Sequence, residues 1–359
     1  MAYYKAHSVG YCPLLSFLGL ALALLSASAQ APSQGLSQAR HPAFLAAMAE
    51  QRPGKAVSRI GALSEYQPAL KGTALDSPVY FIEPQDPNPA LPAILILGGS
   101  HGDEIAGVAA ASLFVSWARP SAARLIVVPR ANASAATWPD PDRPGPQAVY
   151  ISGASGDRSF RYGSRLTKPE DETTPELSLA DRDLRNLNRL HPGDAQGSKT
   201  AQAAAAIFAL IIKENVKAAF DLHEASPVSG LAWNIIAHPK NLTYAAMGIL
   251  AADERGVRMV LDQSRDTHRG LSHREWGQGS ETAAYLIETL NPGQVSGGRA
   301  DMDHLDNAVA PLWKRVGIQV ETVLAILSAH SEMDSQAGWA EIRGMPGLED
   351  LKHEFTKYF

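Results

Sequence analysis

The sequence predicts an α/β fold: a mainly parallel β-sheet with helices on both faces. Three observations predict it. Short apolar runs occur that do not alternate with polar residues, helical stretches separate them, and Gly- or Pro-bearing breaks punctuate the junctions. The clearest runs are Ala93–Leu97 (AILIL), Leu125–Val128 (LIVV), Ala218–Leu222 and Ala284–Thr289. A strand apolar at every position is buried on both sides, which requires a layer of helices above and below it.

Taken in order, the chain begins with Lys5 and His7, an apolar run from Pro13 to Leu25, and Ser26-Ala27-Ser28-Ala29-Gln30. A short basic segment, a brief apolar stretch and an Ala-x-Ala site describe a secretory signal peptide, residues 1–29, cut after Ala29. The run falls short of the roughly 20 apolar residues of a membrane span. Export to the periplasm or the medium is therefore expected, with no stable membrane insertion after cleavage. An uncleaved anchor is the alternative. The only cysteine, Cys12, lies in this segment, so the mature chain is expected to lack cysteine nucleophiles and thiolate metal sites.

Residues 30–75 are rich in Ala, Gln and Ser and read as an N-terminal extension with one helix, Pro42–Gln51. A catalytic domain is expected over residues 76–330. Its predicted strands are Val79–Ile82, Ala93–Leu97, Leu125–Val128, Ala218–Leu222, Ala232–Ala237, Val257–Leu261 and Ala284–Thr289. Its predicted helices are Glu104–Trp117 (amphipathic), Thr200–Glu214, Leu242–Arg255 and Pro311–Ser328. From Arg130 to about Ser198 the pattern lapses into Pro, Gly, Asp and Arg, which in mid-domain marks a functional surface more often than a linker. Residues 331–359 form a tail without assignment.

The 359 residues are 45% hydrophobic and 19% charged, a composition that supports a packed core and excludes a disordered chain. A formal net charge of -5 without a long Lys/Arg run argues against nucleic acid as a partner.

In parallel sheets, ligands collect at the carboxyl ends of strands. Three strand ends here bear residues that bind metals or move protons. Ala93–Leu97 is followed by Gly-Gly-Ser-His101-Gly-Asp-Glu104, Ala218–Leu222 by His223-Glu224, and Glu288 sits near the end of Ala284–Thr289. Two histidines and a carboxylate are a common ligand set of catalytic zinc, with one position left open for water. His101, Glu104 and His223 are the expected ligands of one Zn2+, and Glu288 the general base for the metal-activated water. Asp103, Asp221 and Glu224 compete as ligands or as their partners, Asp221 chiefly as a group that orients His223. In the irregular region, Asp183-Leu-Arg-Asn186-Leu-Asn188-Arg189-Leu-His191-Pro-Gly193 places an Arg fork beside an Asn amide, a pair suited to gripping a carboxylate. A polar surface loop is the alternative reading.

The order of these motifs resembles the zinc carboxypeptidase superfamily, including its succinylglutamate desuccinylase/aspartoacylase branch. His101-Gly-Asp-Glu104, Asn188-Arg189-x-x-Pro-Gly, Asp221-Leu-His223 and the late-strand Glu288 span residues 75–330 in the family's order. The resemblance implies a zinc-carboxypeptidase-like fold with a mixed, twisted sheet, one zinc ion and a promoted-water mechanism. It also implies that Asn188 and Arg189 bind the substrate carboxylate and that Arg182 polarises the scissile carbonyl. Asn186 stands where the family has an aspartate supporting a zinc histidine. Where carboxypeptidases carry a substrate-facing Tyr, His268 and His273 occupy the neighbourhood. About 70 residues follow Glu288, so the C-terminal β-domain that narrows the site of aspartoacylases is expected to be missing or reduced.

The leading expectation is a zinc-dependent deacylase of N-acyl amino acids. The alternative is an exported metallocarboxypeptidase acting on short or cell-wall peptides. In both, the partner is a small molecule or short peptide bearing a carboxylate. A non-enzymatic zinc-binding module has no need for Glu288, and an α/β-hydrolase serine mechanism is the poorer enzyme alternative.

Overall fold

The computed structural model describes residues 40–88, 91–153, 156–298, 301–334 and 341–359. The expected signal peptide, residues 1–29, and Cys12 lie outside the described residues. Among the described residues, no helix is long and apolar enough to cross a membrane.

Eight strands form one mixed sheet: β1 (Val57–Ala62), β2 (Pro78–Ile82), β3 (Ala93–Gly98), β4 (Arg124–Val128), β5 (Val216–Ala225), β6 (Asn234–Ala237), β7 (Val260–Gln263) and β8 (Ala283–Leu290). Their spatial order is β1-β2-β4-β3-β5-β8-β6-β7. The central strands β4, β3, β5 and β8 run parallel, as do β6 and β7. Pairing is antiparallel at β1–β2, β2–β4 and β8–β6. The mixed, mostly parallel sheet agrees with the expectation.

Helices cover both faces. Alternate residues of each central strand point to opposite sides. Ile94, Ile96, Phe220, Leu222, Tyr285 and Ile287 pack under α2 (Ile105–Trp117), α4 (Leu242–Asp253) and α6 (Leu312–Met333). Leu95, Leu97, Ala219 and Ala284 pack on the other side against α3 (Lys199–Lys213) and Trp276 of α5 (Ser272–Gly279). The strands read as continuous apolar runs because both sets are buried.

Helix α2 departs from its amphipathic expectation. Every residue from Ile105 to Val115 is buried, because α6 covers its outer side. Gly107 permits the closest approach: a Cβ there would lie 2.3 Å from the backbone oxygen of Leu222 in β5. The start of α2 is thereby pressed against the strand that bears His223.

Elements on both sides of residues 76–330 pack with the sheet domain. Residues 40–75 are part of the sheet domain, not an appendage. They supply the edge strand β1 and helix α1 (Pro42–Ala49), which buries Ala43, Phe44 and Ala47. The sequence of β1, VSRIGA, is half exposed and too short and polar to register as a buried run. The tail is integrated as well: Ile342–Arg343 pairs with Arg119–Pro120, and α7 (Leu348–Glu354) packs on α6. The irregular region contains a two-stranded hairpin, Ala148–Gly153 with Gly156–Arg161.

Candidate active site

Sheet register brings the site together. In the parallel pair β5–β8, Glu288 lies directly beside His223, so the two side chains share one face of the sheet. Asp221, two residues earlier in β5, shares that face, whereas Glu224 points to the other. Strand β5 continues to Ala225, so His223 sits inside the strand, not just beyond it. From the neighbouring β3, the chain turns through Gly99, whose φ of 64° favours glycine. It then delivers His101 and Glu104, the latter at the residue preceding α2.

His101 Nδ1 lies 2.7 Å from Glu104 Oε1, and His223 Nδ1 lies 2.8 Å from Glu104 Oε2. The other nitrogen of each ring is also held: His101 Nε2 is 3.0 Å from Asn186 Oδ1, and His223 Nε2 is 2.9 Å from Asp221 Oδ2. One imidazole thus has an amide oxygen as its outer partner and the other a carboxylate. Asp221 is pinned in turn by the hydroxyls of Ser100 (3.0 Å) and Ser272 (2.5 Å), which donate to its two oxygens.

Electrostatics distinguish the groups. Burial pushes His101 down to about 4, and nearby Arg165 adds to the effect. Burial acts the same way on His223, but Asp221 and Glu104 on either side raise it well above the ordinary imidazole value. Burial opposes ionisation of Glu104, yet the two histidines hold its carboxyl well below the usual range. Burial pushes Glu288 up to about 8, and its Oε2 is buried without a hydrogen-bond partner. A carboxyl group in that state can accept and release a proton near neutral pH.

The competing acids separate by placement. Glu224 accepts from the Ala106 N–H (3.0 Å) and pairs with Arg315 (2.5 Å), both side chains fully buried. It anchors α2 to α6 on the far face of β5. Arg315→Met strands that carboxylate without its cation and is expected to destabilise the fold by about 3–5 kcal/mol, measured by urea unfolding. Asp103 has one oxygen 3.4 Å from Gln294 Nε2 and the other unpartnered. Among the described residues, the convergent trio is His101, Glu104 and His223, whose candidate ligand atoms all lie within 4.8 Å of one another.

The substrate-binding candidates are distributed differently. Asn188 is buried, with its Nδ2 3.5 Å from His223 Nε2 and its Oδ1 accepting from the Ser272 N–H. Arg189 is exposed, donates to the Asn188 carbonyl (2.7 Å) and lies close enough to Arg165 and Glu288 to feel their charges. Arg182 is directed away: its side chain is 52% exposed and pairs with Asp142 and Asp140. The arginine at the cluster is Arg165, 3.2 Å from Glu104 Oε1. Gln294 Nε2 also donates to Glu104 Oε1 (3.1 Å). Sequence reasoning missed both. Arg165 lies in the aperiodic region and offers no signal of its own. Gln294 follows the Asn291-Pro292-Gly293 turn just past Glu288, a strand-end position that deserved weight.

Residues 98–102, Gly-Gly-Ser-His-Gly, carry the Gly-x-Ser-x-Gly spacing of a serine nucleophile elbow. The serine mechanism fails on placement. Ser100 is fully buried and donates to Asp221, while the ring nitrogens of His101 and His223 face Glu104, Asn186, Asp221 and Asn188.

The donor set fits a zinc ion. With Nε2–H of each histidine donated to Asn186 or Asp221, both Nδ1 lone pairs face inward beside a carboxylate.

No family model matches the chain, and no curated protein matches it. Among solved structures it is similar to a succinylglutamate desuccinylase from Silicibacter sp. TM1040 (19% identity, 71% of this chain and 61% of that one, TM-score 0.42). It is also similar to a succinylglutamate desuccinylase/aspartoacylase from Rhodobacter sphaeroides (16%, 78% and 64%, TM-score 0.43) and a metallo-carboxypeptidase from Burkholderia cenocepacia (13%, 81% and 68%, TM-score 0.47). The chain spans less than two thirds of the length of the first two.

Proposed function

We propose that this chain is a zinc-dependent hydrolase of an amide bond, acting on an N-acyl amino acid in the periplasm or outside the cell. The observation that supports this reading is the convergence of His101 Nδ1, Glu104 and His223 Nδ1, with Glu288 in register beside His223. His101, Glu104 and His223 would hold the ion. Zinc bound there would bring the pKa of a water molecule toward neutrality and polarise the scissile carbonyl.

The chain's own residues do the rest. Glu288 Oε2 takes a proton from the attacking water and delivers it to the amide nitrogen as the C–N bond breaks; the second water proton then passes from the new carboxylic acid to the amine, giving a carboxylate and an ammonium. Arg165, beside Glu104, is placed to steady the negative oxygen that develops on the carbonyl. Arg189 offers its guanidinium to the substrate carboxylate. Asn188 lies beneath, oriented by its own hydrogen bonds. Asp221 and Asn186 keep the two imidazoles turned toward the centre.

A panel of N-acyl amino acids and short peptides, assayed with and without a zinc chelator, tests the reading. Chelator-sensitive release of an acyl group is expected. Cleavage of peptides alone would replace the deacylase reading with the carboxypeptidase one, and turnover indifferent to chelation would overturn the metal mechanism.

A further inference from the structure

We infer that Ser272 is a positioning residue for the metal centre, setting the orientation of His223 through both side chains that approach its Nε2. This rests on the zinc reading above and concerns how firmly the ion is held.

Ser272 opens helix α5 and is fully buried. Its two polar groups go to two different partners. The hydroxyl donates to Asp221 Oδ2 (2.5 Å), the same oxygen that lies 2.9 Å from His223 Nε2. The backbone N–H donates to Asn188 Oδ1 (2.9 Å), leaving Asn188 Nδ2 to face His223 Nε2 at 3.5 Å. An amide NH2 cannot accept a proton. By occupying the amide oxygen, Ser272 keeps Asn188 from competing with Asp221 for the Nε2–H of His223. One residue thus fixes the acceptor and removes its rival.

The Asp221 carboxylate is fixed in its plane because Ser100 donates to the other oxygen, Oδ1 (3.0 Å). Ser100 touches only the oxygen remote from His223, so its contribution should be the smaller. The local chain explains how Ser272 reaches this place. Gly270 has a φ of 80°, and a Cβ there would lie 2.1 Å from the Arg189 carbonyl oxygen. Glycine at that point lets the 270–272 segment lie directly against residues 188–189. With Nε2–H held by a fixed carboxylate, His223 keeps its Nδ1 lone pair aimed at the ion.

Zinc affinity, measured by competition with a chromophoric chelator, tests this on the full chain and on the variants S272A, S272T and S100A. Removing the partner of a ligating histidine typically costs ten- to a hundredfold in metal affinity. S272A is therefore expected to bind zinc about tenfold to a hundredfold more weakly, S100A to lose less, and S272T, which keeps the hydroxyl, to approach wild type. The visible absorption of the cobalt(II)-substituted protein should shift in S272A and return in S272T. A purely structural role would lower thermal stability without moving affinity or spectrum. S272A binding zinc as tightly as wild type overturns the inference and leaves the metal centre standing, whereas wild type failing to bind zinc overturns the centre itself. Should S272A not fold, S272C, which keeps the volume but offers a weaker donor, carries the same two outcomes.

Discussion

Replacing Glu288 by Gln is expected to lower kcat by about 10²–10⁴-fold, the usual worth of a positioned general base, while zinc content stays at the wild-type level. Glutamine keeps the shape but cannot take a proton. The expectation depends on register: Glu288 sits beside His223 on the same face of the sheet, with an unpartnered buried oxygen. It is not among the three converging ligand residues, so its loss should leave the ion in place. Metal analysis alongside steady-state kinetics separates the two effects. Full turnover in the glutamine variant would remove Glu288 from the mechanism.

The larger effect is expected at His223. Its ring lies between two buried carboxylates, Asp221 at 2.9 Å and Glu104 at 2.8 Å. On the proposed mechanism, His223→Ala removes a zinc ligand and also the cation that separates those acids. The variant should lose its bound metal and its activity. Without metal it should be less stable than the metal-free wild type by about 3–5 kcal/mol, as when one partner of a buried ion pair is removed. Metal content after dialysis and urea unfolding read the two consequences separately. A variant that keeps one zinc per chain contradicts the ligand assignment.

Much of this was legible in the sequence because the physical signals were local. A strand buried on both sides shows as an unbroken apolar run, and polar residues at the end of such a run stand out. His101, Glu104, His223 and Glu288 were visible for that reason. Strand β1 and helix α5 were not. The former is a half-exposed edge, and the latter, SHREWGQG, contains two glycines and little apolar periodicity. Arg182 and Arg165 show the same limit from the other side. Both occur in an aperiodic stretch, so only the fold reveals that Arg182 is held by exposed Asp142 while Arg165 reaches Glu104. Glu224 follows His223 directly, but the alternation of a strand sends it to Arg315 on the opposite face.

The ligand assignment is tested most directly by anomalous scattering from a crystal of the zinc-loaded protein at the zinc absorption edge. One peak is expected, about 2.0–2.1 Å from Nδ1 of both His101 and His223 and in contact with the Glu104 carboxylate. A zinc-loaded crystal with no peak among these three residues, or with its peak elsewhere, would contradict the account.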